Sequence, residues 1–322
     1  MVMNIGIDMM GGDFAPVEAI KGIELLFAEQ TNTPMLNLLC IGHSEQLTPL
    51  LQEYQLSHKV QLIHAEEVIG YNEHPTKALK EKQQSSIAIG FHLLATGKID
   101  AFISAGNTGA MLVGAMFSIK AIEGVSRPTI ATIIPKINGG TGLLLDVGLN
   151  ADCKPEHLNQ FAILGSLYAQ HILNITNPKI GLMNVGEEEG KGNILAQATH
   201  PLLKENAQIN FAGNIEGRDI FNDKADVIVC DGFTGNIILK MAESFFDIAH
   251  QRNLHKDEYL SRFHYENYGG TPVLGVAKPV IIGHGISNAK AFKNMIVLAE
   301  KMIESDLCNK MKTSFQTANT TE

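Results

Sequence analysis

Between a short apolar run and a longer one lies Ser104-Ala105-Gly106-Asn107-Thr108-Gly109-Ala110, and no other stretch constrains the fold as much. Asp100–Ile103 before it reads as a buried strand, and Met111–Ile122 after it is long enough for a helix. The chain therefore leaves a strand, turns on two glycines and starts a helix. Small residues at such a turn let backbone N–H groups approach a ligand closely. The helix start adds free donors and the positive end of the helix dipole. The combination suits a phosphate or a developing oxyanion at Ser104, Gly106, Asn107, Thr108 and Gly109. The alternative is that Asn107 or Thr108 simply caps a helix.

The same sequence of strand, glycine turn and helix recurs along the chain. Met3–Asp8 reads as a first strand, followed by Gly11-Gly12-Asp13 and a helix that Pro16 opens. Strands are predicted at Met35–Ile41 and Val60–His64, then an irregular loop over Glu66–Thr76. Pro75 begins a helix carrying Lys77, Lys80 and Lys82, and a second helix runs Ile87–Ala95 to a stop at Gly97. Thr129–Ile134 and Leu143–Asp146 flank a Gly139–Gly142 turn and read as a hairpin. Pro155 opens a long helix.

Three further strand exits carry polar groups. Lys179–Met183 leads into Asn184–Asn193, where glycines bracket Glu187, Glu188, Glu189 and Lys191, with Gly190 beside the lysine. Charge runs are usually solvated surface, but open α/β sheets place ligands at strand carboxyl ends, and a lysine between glycines reaches an anion as a point charge. Ala207–Ala212 leads into Gly213–Asp219, with Asn214 and Arg218. Ala225–Cys230 leads into Asp231–Asn236. Helices are predicted at Ile237–Arg252 and over the polar Asn253–Tyr265. Val280–Ile282 is a last strand, with His284 at its exit as a proton-transfer candidate, and Ser287 caps a final helix, Asn288–Ser305. Caps alone do not explain so many such loops at successive strand ends, which an α/β fold gathers in one crevice.

Composition narrows the class. The chain has 322 residues, 30 glycines and only 18% charged residues, which fits a globular enzyme and not a disordered chain. A net charge of −9 argues against nucleic-acid binding. Cys40, Cys153, Cys230 and Cys308 lie far apart without a CxxC spacing and read as reduced cysteines of a cytoplasmic protein. The N-terminal residues have neither the basic nor the apolar region of a signal peptide.

Taken in order, Ile7–Asp13, Ser104–Ala110, Asn184–Asn193, Gly213–Asp219, Asp231–Asn236 and Tyr268–Gly275 resemble the PlsX family of bacterial phosphate acyltransferases, from about Met3 to about Ser305. The resemblance implies a doubly wound α/β/α sandwich of the isocitrate/isopropylmalate-dehydrogenase-like, phosphotransacetylase-like kind. Its sheet is largely parallel with an antiparallel portion, and its ligand cleft lies at strand carboxyl ends. It implies one catalytic unit over 1–305 with two lobes, a helical excursion at 241–268, and a flexible tail at 306–322. The implied reaction moves a long-chain acyl group from acyl carrier protein to inorganic phosphate, with no metal or organic cofactor. The family implies a homodimer working at the inner face of the membrane beside the acyltransferase that consumes acyl phosphate.

In that reading Lys191 holds the attacking phosphate, and Gly12, Asp13, Glu187, Gly190 and Arg218 line the substrate site. Asn214 and Asn236 complete the donors around Asn107 and Thr108, and His284 protonates the leaving thiolate or orients phosphate. Lys77, Lys80, Lys82, Lys204 and Arg218 form a basic rim for the acidic carrier. The excursion is more polar than the family's: Asp257, Glu258 and Arg262 interrupt Phe245, Phe246, Leu254, Leu260 and Phe263. Packing at a dimer interface accounts for these apolar residues at least as well as a membrane anchor. The alternatives are a phosphotransacetylase acting on coenzyme A thioesters and an inactive scaffold recruiting lipid-synthesis partners. A dehydrogenase is disfavoured, because no G-x-G-x-x-G follows the first strand.

Overall fold

The computed structural model describes residues 2–29, 36–254 and 257–318. In chain order the first segment holds β1 (Met3–Asp8), α1 (Val17–Glu29), β2 (Leu36–Gly42), α2 (Ser44–Glu53), β3 (Val60–His64), α3 (Pro75–Glu81), α4 (Ser86–Ala95), β4 (Ala101–Ser104) and α5 (Thr108–Gly114). The middle segment holds β5 (Thr129–Pro135), β6 (Thr141–Leu145), α6 (Pro155–His171), β7 (Lys179–Met183), α7 (Ile194–Glu205), β8 (Asn210–Ile215), β9 (Val227–Val229), α8 (Gly232–Gln251) and α9 (Glu258–Ser261). The last holds β10 (Gly270–Leu274), β11 (Val280–Gly283), α10 (Ala289–Glu304) and α11 (Leu307–Ala318).

These elements form two compact units. One comprises Met1–Ala121 with Tyr265–Cys308, the other Ile122–His264 with Asn309–Glu322. The strand order in the first is β3-β2-β1-β4-β11-β10, parallel except for the β10–β11 pair. In the second it is β5-β6-β9-β7-β8, parallel except for the β5–β6 hairpin. This is the largely parallel α/β sheet with an antiparallel portion. Every residue of β4 and β11 is buried, as expected of strands covered on both faces, which is why they read as unbroken apolar runs. Helix α10 buries Phe292, Met295, Ile296 and Ala299, the spacing of one helical face.

Parallel pairing aligns the strand exits. Ile7 pairs with Ile103 and Ser104 with Ile282, so β1, β4 and β11 end together. Leu145 and Leu182 both pair with Val229, and Met183 with Ile215, so β6, β9, β7 and β8 also end together.

Several expectations change, among them that Gly213 and Asn214 lie within β8 and Gly232–Asn236 within α8 instead of in loops. Helix α5 stops at Gly114 and widens into a π-helical turn over Ala115–Ile119, so no single α-helix runs to Ile122. The tail over 306–322 is helical at Leu307–Ala318, where Leu307, Met311 and Phe315 recur every fourth residue and are buried; residues 319–322 lie outside the described residues. The excursion turns back on its own unit. Phe263 is buried, and its ring meets Phe221, Phe245 and Tyr259 at 5.3–5.4 Å between centroids. The Arg262 guanidinium donates to the carbonyls of Lys136 and Gly140 on the β5–β6 hairpin. Phe245 and Phe263 thus pack internally and do not form an apolar tip. The predicted helix over 253–265 reduces to α9, with residues 255–256 outside the described residues, as is residue 35 of the predicted second strand. Among the described residues no helix is long and apolar enough to cross a membrane.

Candidate active site

In the first unit the exits of β1, β4 and β11 are stitched together. Asp8 is buried, and its carboxylate accepts from Ser104 Oγ at 2.6 Å and from the Met10 amide at 3.0 Å. Burial pushes its pKa above the usual carboxylate value, against hydrogen bonds from Ser104, Ser86, Met10 and Gly11. The Gly106 amide donates to Ser104 Oγ at 2.9 Å. A Cβ on Gly11 would lie 2.5 Å from the Gly106 nitrogen, so only glycine lets the two turns touch. The Asp13 amide donates to Gly285 O at 2.7 Å, which joins Gly12-Asp13 to the His284 turn. Gly12, Asp13, Gly106, Asn107 and His284 therefore share one end of one sheet.

Their side chains do not all face a ligand. Asn107 is buried; its Oδ1 accepts from the Ala110 amide at 2.9 Å and its Nδ2 donates to Gly70 O at 2.8 Å. It caps α5 and ties down the Gly70–Glu73 loop. Ser104 Oγ is likewise engaged inside the protein. The donors expected of these two side chains are thus occupied, and the capping alternative holds for Asn107. The helix start still leaves the amides of Thr108 and Gly109 without an intrahelical acceptor, and Thr108 is exposed. The side chains of Asp13 and His284 are also exposed.

Tyr71 belongs to this group and was absent from the sequence expectations. Its phenol donates to Ala105 O at 3.1 Å, and a Cβ on Gly285 would lie 3.2 Å from its oxygen. Burial, then the charges of Asp13 and Asp8, push its pKa up to about 12. It stands between Gly70 and Asn72 in a loop without regular structure, and a lone aromatic in a polar loop was the one available signal.

In the second unit the loop after β7 is built around Lys191. The Lys191 amide donates to Glu188 O at 3.0 Å, and Asn214 Nδ2 donates to the same oxygen at 2.9 Å. Asn184 Nδ2 donates to Lys191 O at 3.1 Å. Gly192 has φ +100°, and a Cβ there would lie 2.3 Å from Asn184 Oδ1, so glycine is required. Lys191 is exposed, and among the described residues its ammonium has no carboxylate within ion-pair distance. Gly190 is open to solvent, and Asn236 lies exposed beside Gly148.

The neighbouring cations are occupied. The Arg218 guanidinium sits 2.6 Å from Glu216 and 3.8 Å from Glu187. Lys224 bridges Glu187 at 2.8 Å and Asp219 at 3.0 Å. Oxygen atoms of Glu187, Glu216 and Asp219 come within 4.8 Å of one another, and each of the three already pairs with Arg218 or Lys224. Lys204 pairs with Glu189, Lys82 with Glu73 and Lys77 with Glu81, so most of the expected basic rim is neutralised locally. Asn214 is buried and directed at the loop backbone, so its amide serves Glu188 before any substrate. Asp146 at the exit of β6 is also buried, its carboxylate accepting from the amides of Gly148, Leu149 and Asn150; burial raises its pKa.

The fold and these strand-end loops define a protein of the phosphotransacetylase fold. A phosphotransacetylase from Streptococcus pyogenes superposes with a TM-score of 0.67 at 18% identity, covering 94% of each chain. A branched-chain phosphotransacylase from Enterococcus faecalis does so at 0.61 and 15% identity, covering 94% of this chain and 99% of its own. Within that fold, residues 3–310 match the family described as "Fatty acid synthesis protein", and the chain belongs to that family. The phosphate acyltransferase of Dictyoglomus turgidum is 43% identical over 328 residues, 96% of each chain. That of Thermoanaerobacterium thermosaccharolyticum is 43% identical over 323 residues, 95% of this chain and 94% of its own.

Proposed function

We propose that this chain is an acyltransferase that moves a long-chain fatty acyl group from acyl carrier protein to inorganic phosphate, giving acyl phosphate for phospholipid synthesis. The observation that carries the reading is nearly full-length likeness at 43% identity to proteins named phosphate acyltransferase. A phosphate oxygen attacks the thioester carbonyl, a C–O bond forms, the C–S bond breaks, and a proton passes to the carrier thiolate. Lys191 receives the phosphate, because its ammonium is presented by the loop while neighbouring cations are held by carboxylates. The amides of Thr108 and Gly109 stabilise an oxyanion, and His284 supplies the proton. Each role stands on its own local geometry.

The reading extends to partners. Phe233, Ile237 and Met241 recur every fourth residue on α8 and are more than half exposed, which supports pairing of two copies. It places the enzyme in the cytoplasm, at the inner face of the membrane where its product is consumed. Light scattering and vesicle flotation test these two statements.

The test of the reaction supplies the same acyl chain on carrier protein and on coenzyme A, with and without phosphate. Carrier thioester is expected to give free thiol and hydroxylamine-reactive acyl phosphate, only when phosphate is present. Faster turnover of the coenzyme A thioester replaces the reading with a phosphotransacetylase, and no phosphate-dependent loss of thioester leaves a scaffold.

A further inference from the structure

We infer that Asn184 and Gly186 are positioning residues that aim the Lys191 ammonium, an inference that rests on the assignment of Lys191 to phosphate. The Asn184 carboxamide spans the loop. Its Oδ1 accepts from the Val185 amide at 2.8 Å, and its Nδ2 donates to Lys191 O at 3.1 Å. One side chain thereby closes the chain from 185 to 191. Asn184 is itself fixed, because its amide donates to Ile215 O at 2.8 Å and prolongs the β7–β8 pairing by a residue. Lys191 is gripped at both peptide ends, its carbonyl by Asn184 and its N–H by Glu188 O.

The side chain has its own support. A Cβ on Gly186 would lie 3.1 Å from both Glu188 Oε2 and Lys191 Cγ, and 3.5 Å from Lys191 Cδ. The lysine stem therefore lies over the bare Gly186 backbone, and a methyl group there would shift the stem and the Glu188 carboxylate by a few tenths of an ångström. The contact supports one side of a flexible four-carbon stem and so limits the directions the ammonium can take. Holding a binding group before its ligand arrives reduces the ordering that binding requires. In a group-transfer reaction, misplacement by about 1 Å costs roughly 10²-fold.

The experiment compares N184A, which releases the backbone grip, and G186A, which pushes the stem, with K191A. Steady-state constants are measured separately for phosphate and for carrier thioester, and inorganic phosphate binding is measured by calorimetry without thioester. Both positioning variants are expected to raise KM for phosphate and weaken its calorimetric binding about tenfold, with KM for the thioester and the melting temperature unmoved. If K191A loses phosphate but N184A and G186A bind it normally, the inference fails and the assignment of Lys191 stands. If K191A binds phosphate normally, both fail. A fall in kcat with both KM values and phosphate affinity unchanged also overturns the inference, since it reports only less folded enzyme. Should N184A not fold, G186A decides.

Discussion

At the exit of β4 the polar side chains point into the protein, and at the exit of β7 a cation points out of it. Ser104 and Asn107 give their hydrogen-bonding atoms to Asp8, Gly106, Gly70 and Ala110. Lys191 gives its peptide group to the loop, and among the described residues its ammonium has no carboxylate within ion-pair distance. The first turn is rigid scaffold that offers backbone amides; the second offers an outward charge on a braced backbone. A glycine turn can thus serve a ligand in two ways, and the residue types alone do not say which. What separates them is whether partners for the side chains lie within reach, and those partners come from far along the chain.

The largest expected effect separates the two regions outright. K191A should lower kcat/KM for phosphate by about 10²-fold, the scale of one lost electrostatic donor, while urea unfolding stays unchanged. N107A should do the reverse. Removing a cap and a buried amide hydrogen bond should cost about 2 kcal/mol of stability, read as a lower urea midpoint and faster hydrogen exchange in α5. If N107A instead keeps full stability and loses phosphate turnover, Asn107 is a ligand group and the contrast disappears.

Much of the fold was legible in these same stretches. Buried parallel strands read as apolar runs, and glycine with Asn, Asp or Ser marked nearly every exit. The hairpin of β5 and β6 followed from its Gly139–Gly142 turn. What was not legible depends on distant partners. Asn107 and Gly70 are 37 residues apart, and Asn214 and Glu188 are 26 apart. Lys204 meets Glu189, 15 residues away, before any acidic protein arrives, although Arg218 meets Glu216 only two residues off. Helix α11 was hidden because only Leu307, Met311 and Phe315 are apolar at its buried positions, in an otherwise polar run. Tyr71 was marked only as a lone aromatic in a polar loop; its position is set by the fold of a loop that no periodicity describes.

A smaller effect tests how tightly the first region is stitched. Y71F removes the hydroxyl that reaches Ala105 O but keeps the ring. The loss should be no more than about 1 kcal/mol, because half of the side chain faces solvent. It should appear as faster hydrogen exchange at Gly12–Asp13 and at Gly106, with the Asn184–Asn193 loop unaffected. Equal exchange in both variant and parent would mean that Gly11 and Asp8 hold the turns together without the phenol.

The smallest effect is one of sign, because the two regions answer acid in opposite directions. Burial raises the Asp8 carboxyl above its ordinary 3.8, so between its folded pKa and 3.8 the folded chain binds more protons there than the unfolded chain. Stability from this site therefore rises as pH falls through that window. Asp219 is the opposite case: burial works to raise it, but the Glu216 amide, Lys224 and Asn222 together hold it below 3.8. Its contribution is complete above 3.8 and is lost as pH falls through its folded pKa. Thermal midpoints of the parent, D8N and D219N, followed downward from neutral pH, separate the two. The parent should gain stability relative to D8N before pH 3.8 is reached, and should lose stability relative to D219N only below it. A D8N gap that stays constant with pH would show that the Ser104, Ser86 and amide hydrogen bonds offset burial completely, leaving the β4 exit as indifferent to acid as an exposed turn.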